Sequence, residues 1–300
     1  MWHPEPGWQP LPGGTGPSTY GVWLAVEAGR PVVVKRLVVP TDHDPPELRD
    51  PGHFAYWRRA AEVALDGTCE ATPGLRALPA LRVEEDEGGI TLVQPQVADA
   101  GSSGLFVAGA LGGFAAADLG DHGWLAGDQL RARLRRVEER GGWPTLARTT
   151  VADVADHLWC RRESYLAKLD ALPVVAQHGD PVPANLPGRD GTHSIAIDWS
   201  TLGRGPVGSD LGYFALSARE DFEHLVSAYR ERLPAGLATQ ADVELGARVS
   251  AVYTVLSRAE WALARVAQGE GALAGKFRHP SVAPHLRAMQ RQFPQIEALL

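Results

Sequence analysis

The sequence predicts an α+β fold in two lobes: a small N-terminal lobe with an antiparallel sheet and one helix, and a larger, mostly helical C-terminal lobe. Three features of the chain predict it. Short β-branched and aromatic runs separated by turn residues fill roughly the first hundred positions. Helical periodicity takes over after them. A single stretch, residues 174–202, interrupts that periodicity with prolines and an Asp-Gly turn.

Taken in order, Tyr20 to Val26 and Pro31 to Val39 read as two strands of a hairpin that turns at Glu27-Ala-Gly-Arg30. A Gly-rich turn, Pro12-Gly-Gly-Thr-Gly-Pro17, precedes them. Residues 53–65 place Phe54, Trp57, Ala61 and Leu65 at helical intervals and predict one amphipathic helix. Two further strands, Leu78 to Val83 and Gly89 to Val93, are joined across the acidic turn Glu84-Glu-Asp-Glu-Gly88. The connector Asp99-Ala-Gly-Ser-Ser-Gly104 divides residues 1–98 from residues 99–300. Beyond it, Thr150 and Asp153 resemble a capping box opening a helix with Val154, Leu158, Tyr165 and Leu169 on one face. Leu245, Val249, Val252, Leu256 and Leu263 mark another helix near the C-terminus.

Bulk properties exclude several function classes. The 300 residues hold 29 Lys+Arg against 36 Asp+Glu, a formal net charge of -7 without a long basic run, so no electrostatic footprint for nucleic acid exists. A mildly acidic surface suits a cationic small molecule better than an anionic one. The two cysteines, Cys69 and Cys160, form no CxxC pair and no Cys/His cluster, which predicts neither a disulfide framework nor a zinc site. No apolar stretch is long enough to span a bilayer and the N-terminus lacks a leader pattern, so the chain is expected in the cytoplasm, as a monomer or homodimer.

The chemistry-bearing residues gather in the interrupted stretch. His178-Gly-Asp180-Pro-Val-Pro-Ala-Asn185 forms a loop that leads through Asp190-Gly191 into an apolar strand, Ser194 to Ile197, with Asp198 at its end. Phosphoryl transfer needs a carboxylate to receive the attacking hydroxyl's proton and hard oxygen ligands to hold Mg2+ on the phosphates. Asp180 supplies the first, and Asn185 and Asp198 the second.

This arrangement resembles the aminoglycoside phosphotransferase and choline kinase-like family, whose catalytic loop reads H-x-D-x-x-x-x-N and whose metal-binding strand ends in D-W. His178-x-Asp180-x4-Asn185 and Asp198-Trp199 match both elements. The resemblance implies that His178 supports the loop, Asp180 is the catalytic base, and Asn185 and Asp198 bind Mg2+. It also implies a protein-kinase-like fold, ATP (or GTP) as donor, and the hydroxyl of an aminoglycoside, nucleoside antibiotic or other natural product as acceptor. In the same family Lys35, on the strand Pro31-Val-Val-Val-Lys35, would pair with the α/β-phosphates. Backbone N–H groups at Gly13, Gly14 and Gly16 would approach phosphate. The strand leading into Gln94-Pro-Gln96 would hydrogen-bond adenine through its backbone, and Asp210 would brace the catalytic segment.

One departure stands out. The family usually carries a Glu on the N-lobe helix that pairs with the strand Lys, whereas this chain reads Tyr56-Trp-Arg-Arg-Ala60, with Glu62 the nearest acid. Two positions along a helix rotate a side chain by about 200°. Either Glu62 meets Lys35 through a changed register, or Lys35 is positioned otherwise. The departure motivates an alternative function, a nucleotide-binding pseudokinase with a regulatory role. For a cationic acceptor, Glu220, Asp221, Glu223 and Glu260 offer acids and Trp261 an aromatic face.

Overall fold

The computed structural model describes residues 2–12, 18–267 and 277–300. Strands β1 (Gln9–Pro10), β2 (Thr19–Glu27) and β3 (Arg30–Val38) open the chain. The β2–β3 hairpin turns on Ala28 and Gly29, both at positive φ (49° and 76°), the two-residue geometry whose twist matches the flanking strands. Helix α1 (Arg59–Asp66), strand β4 (Leu75–Arg76) and the hairpin β5 (Arg82–Asp86) and β6 (Gly89–Pro95) follow. The five-stranded antiparallel sheet has the order β1-β2-β3-β6-β5. Side chains alternate across it. Val32 and Val34 join Ala25 and Val93 on one face, and Leu37 and Ile90 pack against Ala60 and Ala61 of α1 on the other.

Two N-lobe elements differ from the sequence expectation. The helix begins at Arg59 instead of residue 53, because the carbonyls of Pro51, His53 and Phe54 accept hydrogen bonds from the Arg59 guanidinium and the 51–58 segment runs as turns. Leu65 is accordingly 59% exposed. Glu84 to Asp86 belong to β5 instead of a turn: on the edge of the sheet their charges stay solvated and discourage edge-to-edge pairing.

The C-terminal lobe is helical. Helix α2 (Gly104–Phe114) starts at Ser103, whose side chain caps Phe106 N–H. Helices α3 (Gln129–Glu139), α4 (Ala152–Cys160) and α5 (Arg162–Asp170) lead to strand β7 (Val174–Gln177). The single helix expected after Thr150 is thus two, broken at Arg161, and no side chain caps α4. Strands β8 (Gly188–Asp190), β9 (His193–Ile195) and β10 (Gly203–Pro206) precede helices α6 (Ser209–Ala215), α7 (Phe222–Arg232) and the long α8 (Gln240–Ala267). Val249, Val252, Leu256 and Leu263 of α8 are buried in the lobe's core, as their spacing predicts. Two small sheets hold the interrupted stretch. β10 pairs antiparallel with β7, and β9 lies between β8 and β4, parallel to β4. β4 thereby anchors the strand that leads to Asp198.

Candidate active site

Alternation along β3 puts Val33 and Lys35 on the same face, and their cross-strand partners Gln94 and Leu92 join them. With Ala60, Gln96, Asn185, Asp198 and Trp199 they line one cavity of 420 Å³ between the lobes. Lys35 Nζ lies 2.6 Å from Asp198 Oδ1. Burial pushes the Asp198 carboxyl up, but the Lys35 ammonium and hydrogen bonds outweigh it and hold the group below its ordinary value. Asp198 itself adopts a left-handed backbone (φ 56°, ψ 62°), which turns the chain out of β9 and is uncommon for a non-glycine residue.

The preceding loop is braced from below. Asp210 on α6 accepts backbone hydrogen bonds from His178 N–H (2.6 Å) and Gly179 N–H (3.0 Å). Burial raises its pKa to about 6, against the lowering effect of His178 and the two N–H groups. The His178 ring, fully buried, bonds through Nε2 to Ile197 O (3.0 Å) and accepts from Asp180 N–H at Nδ1 (3.3 Å). That pair of bonds fits the tautomer protonated at Nε2 and ties the loop to the residue preceding Asp198. Gly179 stands at φ +84°, and a Cβ there would lie 2.1 Å from Gln129 Nε2 and 2.5 Å from Thr201 O, so only glycine fits. Asn185 Nδ2 donates to Asp180 Oδ2 (3.1 Å) and to Asp180 O (2.9 Å), fixing the two side chains to each other.

Asp180, Asn185, Asp198, His178 and Lys35 are therefore brought together. Glu62 is not. Its carboxylate accepts from Arg58 Nε at 2.6 Å, one turn back on its own helix, and Arg58 also forks onto Glu85 of β5. The register of α1 is the reason: Ala60 lines the cavity beside Lys35, and position 62 turns away toward the sheet edge. Lys35 is held by Asp198 instead. Gly13, Gly14 and Gly16 lie outside the described residues.

Gln94 and Gln96 line the cavity, but their backbone groups point to β3, as the bond from Gln96 N–H to Pro31 O (3.2 Å) shows for that parity. By the same alternation, the carbonyl of Pro95 and the N–H of Val97 face away from β3, beyond the start of β5. Those two groups, which sequence reading missed, are the edge a planar heterocycle can meet. Strand parity counted from Lys35 is the signal that could have found them.

A second unpredicted feature is Arg59. Its side chain is fully buried and donates to five carbonyls: Trp124 (2.5 Å), Phe54 (3.0 Å), Ser200 (2.9 Å), Pro51 (2.6 Å) and His53 (2.7 Å). Burial lowers its pKa to about 10. One guanidinium thereby links α1 to the turn that follows Asp198.

The family model of the phosphotransferase enzyme family matches residues 7–245. The chain belongs to this family. No curated protein matches the sequence. Among solved structures, similar folds occur in phosphotransferases and kinases. The GDP and kanamycin complex of an aminoglycoside phosphotransferase of the APH(2'')-III type is 12% identical with TM-score 0.60, over 96% of this chain and 93% of that one. The choline kinase LicA of Streptococcus pneumoniae is 12% identical with TM-score 0.57, over 92% and 90%. A choline/ethanolamine kinase family protein of Mesorhizobium loti is 17% identical with TM-score 0.54, over 95% and 92%. The chain is thus a phosphotransferase by family, with the protein-kinase-like fold of these phosphotransferases and kinases. Among the described residues no helix is long and apolar enough to cross a membrane.

Proposed function

We propose that this phosphotransferase moves the γ-phosphate of ATP, with GTP as an alternative donor, to a hydroxyl of a small molecule. Residues 1–98 and 99–300 form one catalytic unit in this reading. Asp180 receives the hydroxyl's proton as the acceptor oxygen bonds to phosphorus and the bond to the leaving nucleoside diphosphate breaks. Lys35 binds the α/β-phosphates, and the exposed backbone edge at Pro95 and Val97 meets the base. His178 and Asp210 hold the loop in position.

The observation that carries this reading is the joining of Asp180 to Asn185 at 3.1 Å on the rim of a cavity that Asn185 shares with Asp198 and Lys35. Mg2+ suits the donor set. Among the described residues no cluster of three or more His, Cys, Asp or Glu exists to hold a metal alone. Asn185, whose Nδ2 is taken by Asp180, and the Asp198 carboxylate offer two hard oxygens, and Mg2+ characteristically takes one or two protein ligands with water and phosphate oxygens. Once bound, the ion neutralises charge on the phosphates.

The test is ADP release with a mass gain of one phosphate across amino sugars, nucleosides, sugars and choline-like alcohols, lost on Asp180→Asn. Ala60 in place of the usual Glu favours a second reading, a nucleotide-binding pseudokinase with a regulatory role. Thermal stabilisation by ATP with Mg2+ but no phosphorylated product across that set would select it.

A further inference from the structure

The acids that a cationic acceptor would need do not face Asp180. Glu260 is buried and locked to Arg140 at 2.5 Å. Glu220 accepts from Gly104 N–H (2.7 Å) at the start of α2, and Asp221 and Glu223 are exposed at the start of α7. Trp261 carries Arg265 over its ring at 4.8 Å.

Arginines gather instead around Tyr213, on the cavity next to the Asp180 loop. Tyr213 of α6 is buried and lines one cavity with Gly179, the residue before Asp180. The guanidiniums of Arg133 (α3) and Arg258 (α8) lie 5.2 and 4.9 Å from the centre of that tyrosine ring. Arg133 and Arg136 also sit over Phe54, at 5.1 and 4.9 Å. Among the described residues, none of Arg133, Arg136 and Arg258 has a carboxylate within ion-pair distance. A cavity of 390 Å³ opens here, lined by Gly179, Tyr213, Arg133, Gln129, Ser250 and Thr254, the last two on the turns of α8 that precede Arg258. Asp128, Asp170 and Asp210 also border it: Asp170 pairs with Arg131, Asp210 is occupied by the loop's N–H groups, and Asp128 is exposed at the N-terminus of α3.

We propose that the acceptor carries an oxyanion, a carboxylate or a phosphate, which Arg133 and Arg258 bind while its hydroxyl meets Asp180. This rests on the phosphotransferase mechanism proposed above. Arg133 and Arg258 share the Tyr213 ring without a carboxylate partner among the described residues, and guanidinium forks match carboxylate and phosphate oxygens in two-point contact. A polyammonium acceptor would meet the same guanidiniums as a like charge.

One sugar skeleton in several charge forms tests the idea: glucose, glucosamine, gluconate and glucose 6-phosphate. Binding is measured by calorimetry with ADP and Mg2+ present, and turnover by ADP release. Gluconate, glucose 6-phosphate or both should bind at least about tenfold more tightly than glucosamine, and which of them does so separates the carboxylate from the phosphate source. Arg133→Gln and Arg258→Gln should each erase that preference, and Arg133→Lys, which keeps the charge, should retain most of it. Equal or tighter binding of glucosamine, no binding of either anion, or an unchanged preference in both Gln variants with wild-type melting temperatures overturns the proposal. Loss of Mg2+-dependent ADP binding by the unaltered protein would instead remove the phosphotransferase mechanism itself.

Discussion

The Lys35 ammonium lies 2.6 Å from the Asp198 carboxylate, across the cavity between the lobes. Removing either group leaves the other facing the cavity without its ion partner. Lys35→Met is expected to raise the nucleotide KM and to lower kcat about a hundredfold, in line with the loss of one charge-stabilising donor. Asp198→Asn should lower activity further and weaken its dependence on Mg2+ concentration, both read by ADP release over a magnesium titration.

Asp180→Asn is nearly isosteric and removes the proposed proton acceptor. A loss of about 10²- to 10⁴-fold in kcat, with ADP binding by calorimetry unchanged, is the expected signature of a missing base. Weakened nucleotide binding would point to a positioning role instead.

Position 60 and position 62 make opposite predictions. Glu62→Gln removes only a partly exposed pair with Arg58, so stability should fall by less than about 1 kcal/mol and the nucleotide KM should barely move. Ala60→Glu sets a second carboxylate beside Lys35 in the cavity, and a change of about tenfold in nucleotide KM is expected as Lys35 is drawn from Asp198.

Arg59→Met leaves five carbonyls without their donor in a buried site. Urea unfolding should show a loss of roughly 4 kcal/mol or more, the range reserved for broken buried networks. Arg59→Lys should recover little, because an ammonium has three donors and no planar fork.

Two carboxyls give pH effects of opposite sign. Asp198 is held below its ordinary value of 3.8, so its contribution is present above that pH and is lost as pH falls below it; Lys35→Met should remove this acid sensitivity. Asp210 is raised from 3.8 to about 6, so the folded state binds its proton more tightly than the unfolded chain does, and stability falls as pH rises through that window. Asp210→Asn should flatten that second slope in thermal melts between those pH values, and should lower kcat because an amide N–H2 would confront one of the two loop N–H donors.

Much of the site was legible in the sequence because its parts are local. His178, Asp180 and Asn185 fall within eight residues whose prolines and glycine exclude a helix, and Asp198 ends a short apolar strand. The β-branched run Pro31-Val-Val-Val-Lys35 placed Lys35 on a strand without reference to anything distant. The hairpin of β2 and β3 and the buried face of α8 were legible for the same reason: turn chemistry and period are carried by neighbours in the chain.

The tertiary structure decided what depends on residues far apart. The partner of Lys35 is Asp198, 163 positions away, because α1 starts at Arg59 and its register presents Ala60 to the cavity. That start was hidden, since helical spacing in residues 53–65 gives no sign that one guanidinium will gather the carbonyls a longer helix would use. The gathering of Arg133 and Arg258 on the Tyr213 ring was hidden likewise: the three residues come from three helices, and the net charge of the whole chain carries no sign of it. The sequence of one loop carries the residues the proposed transfer would use, and packing between helices decided which side chains surround that loop.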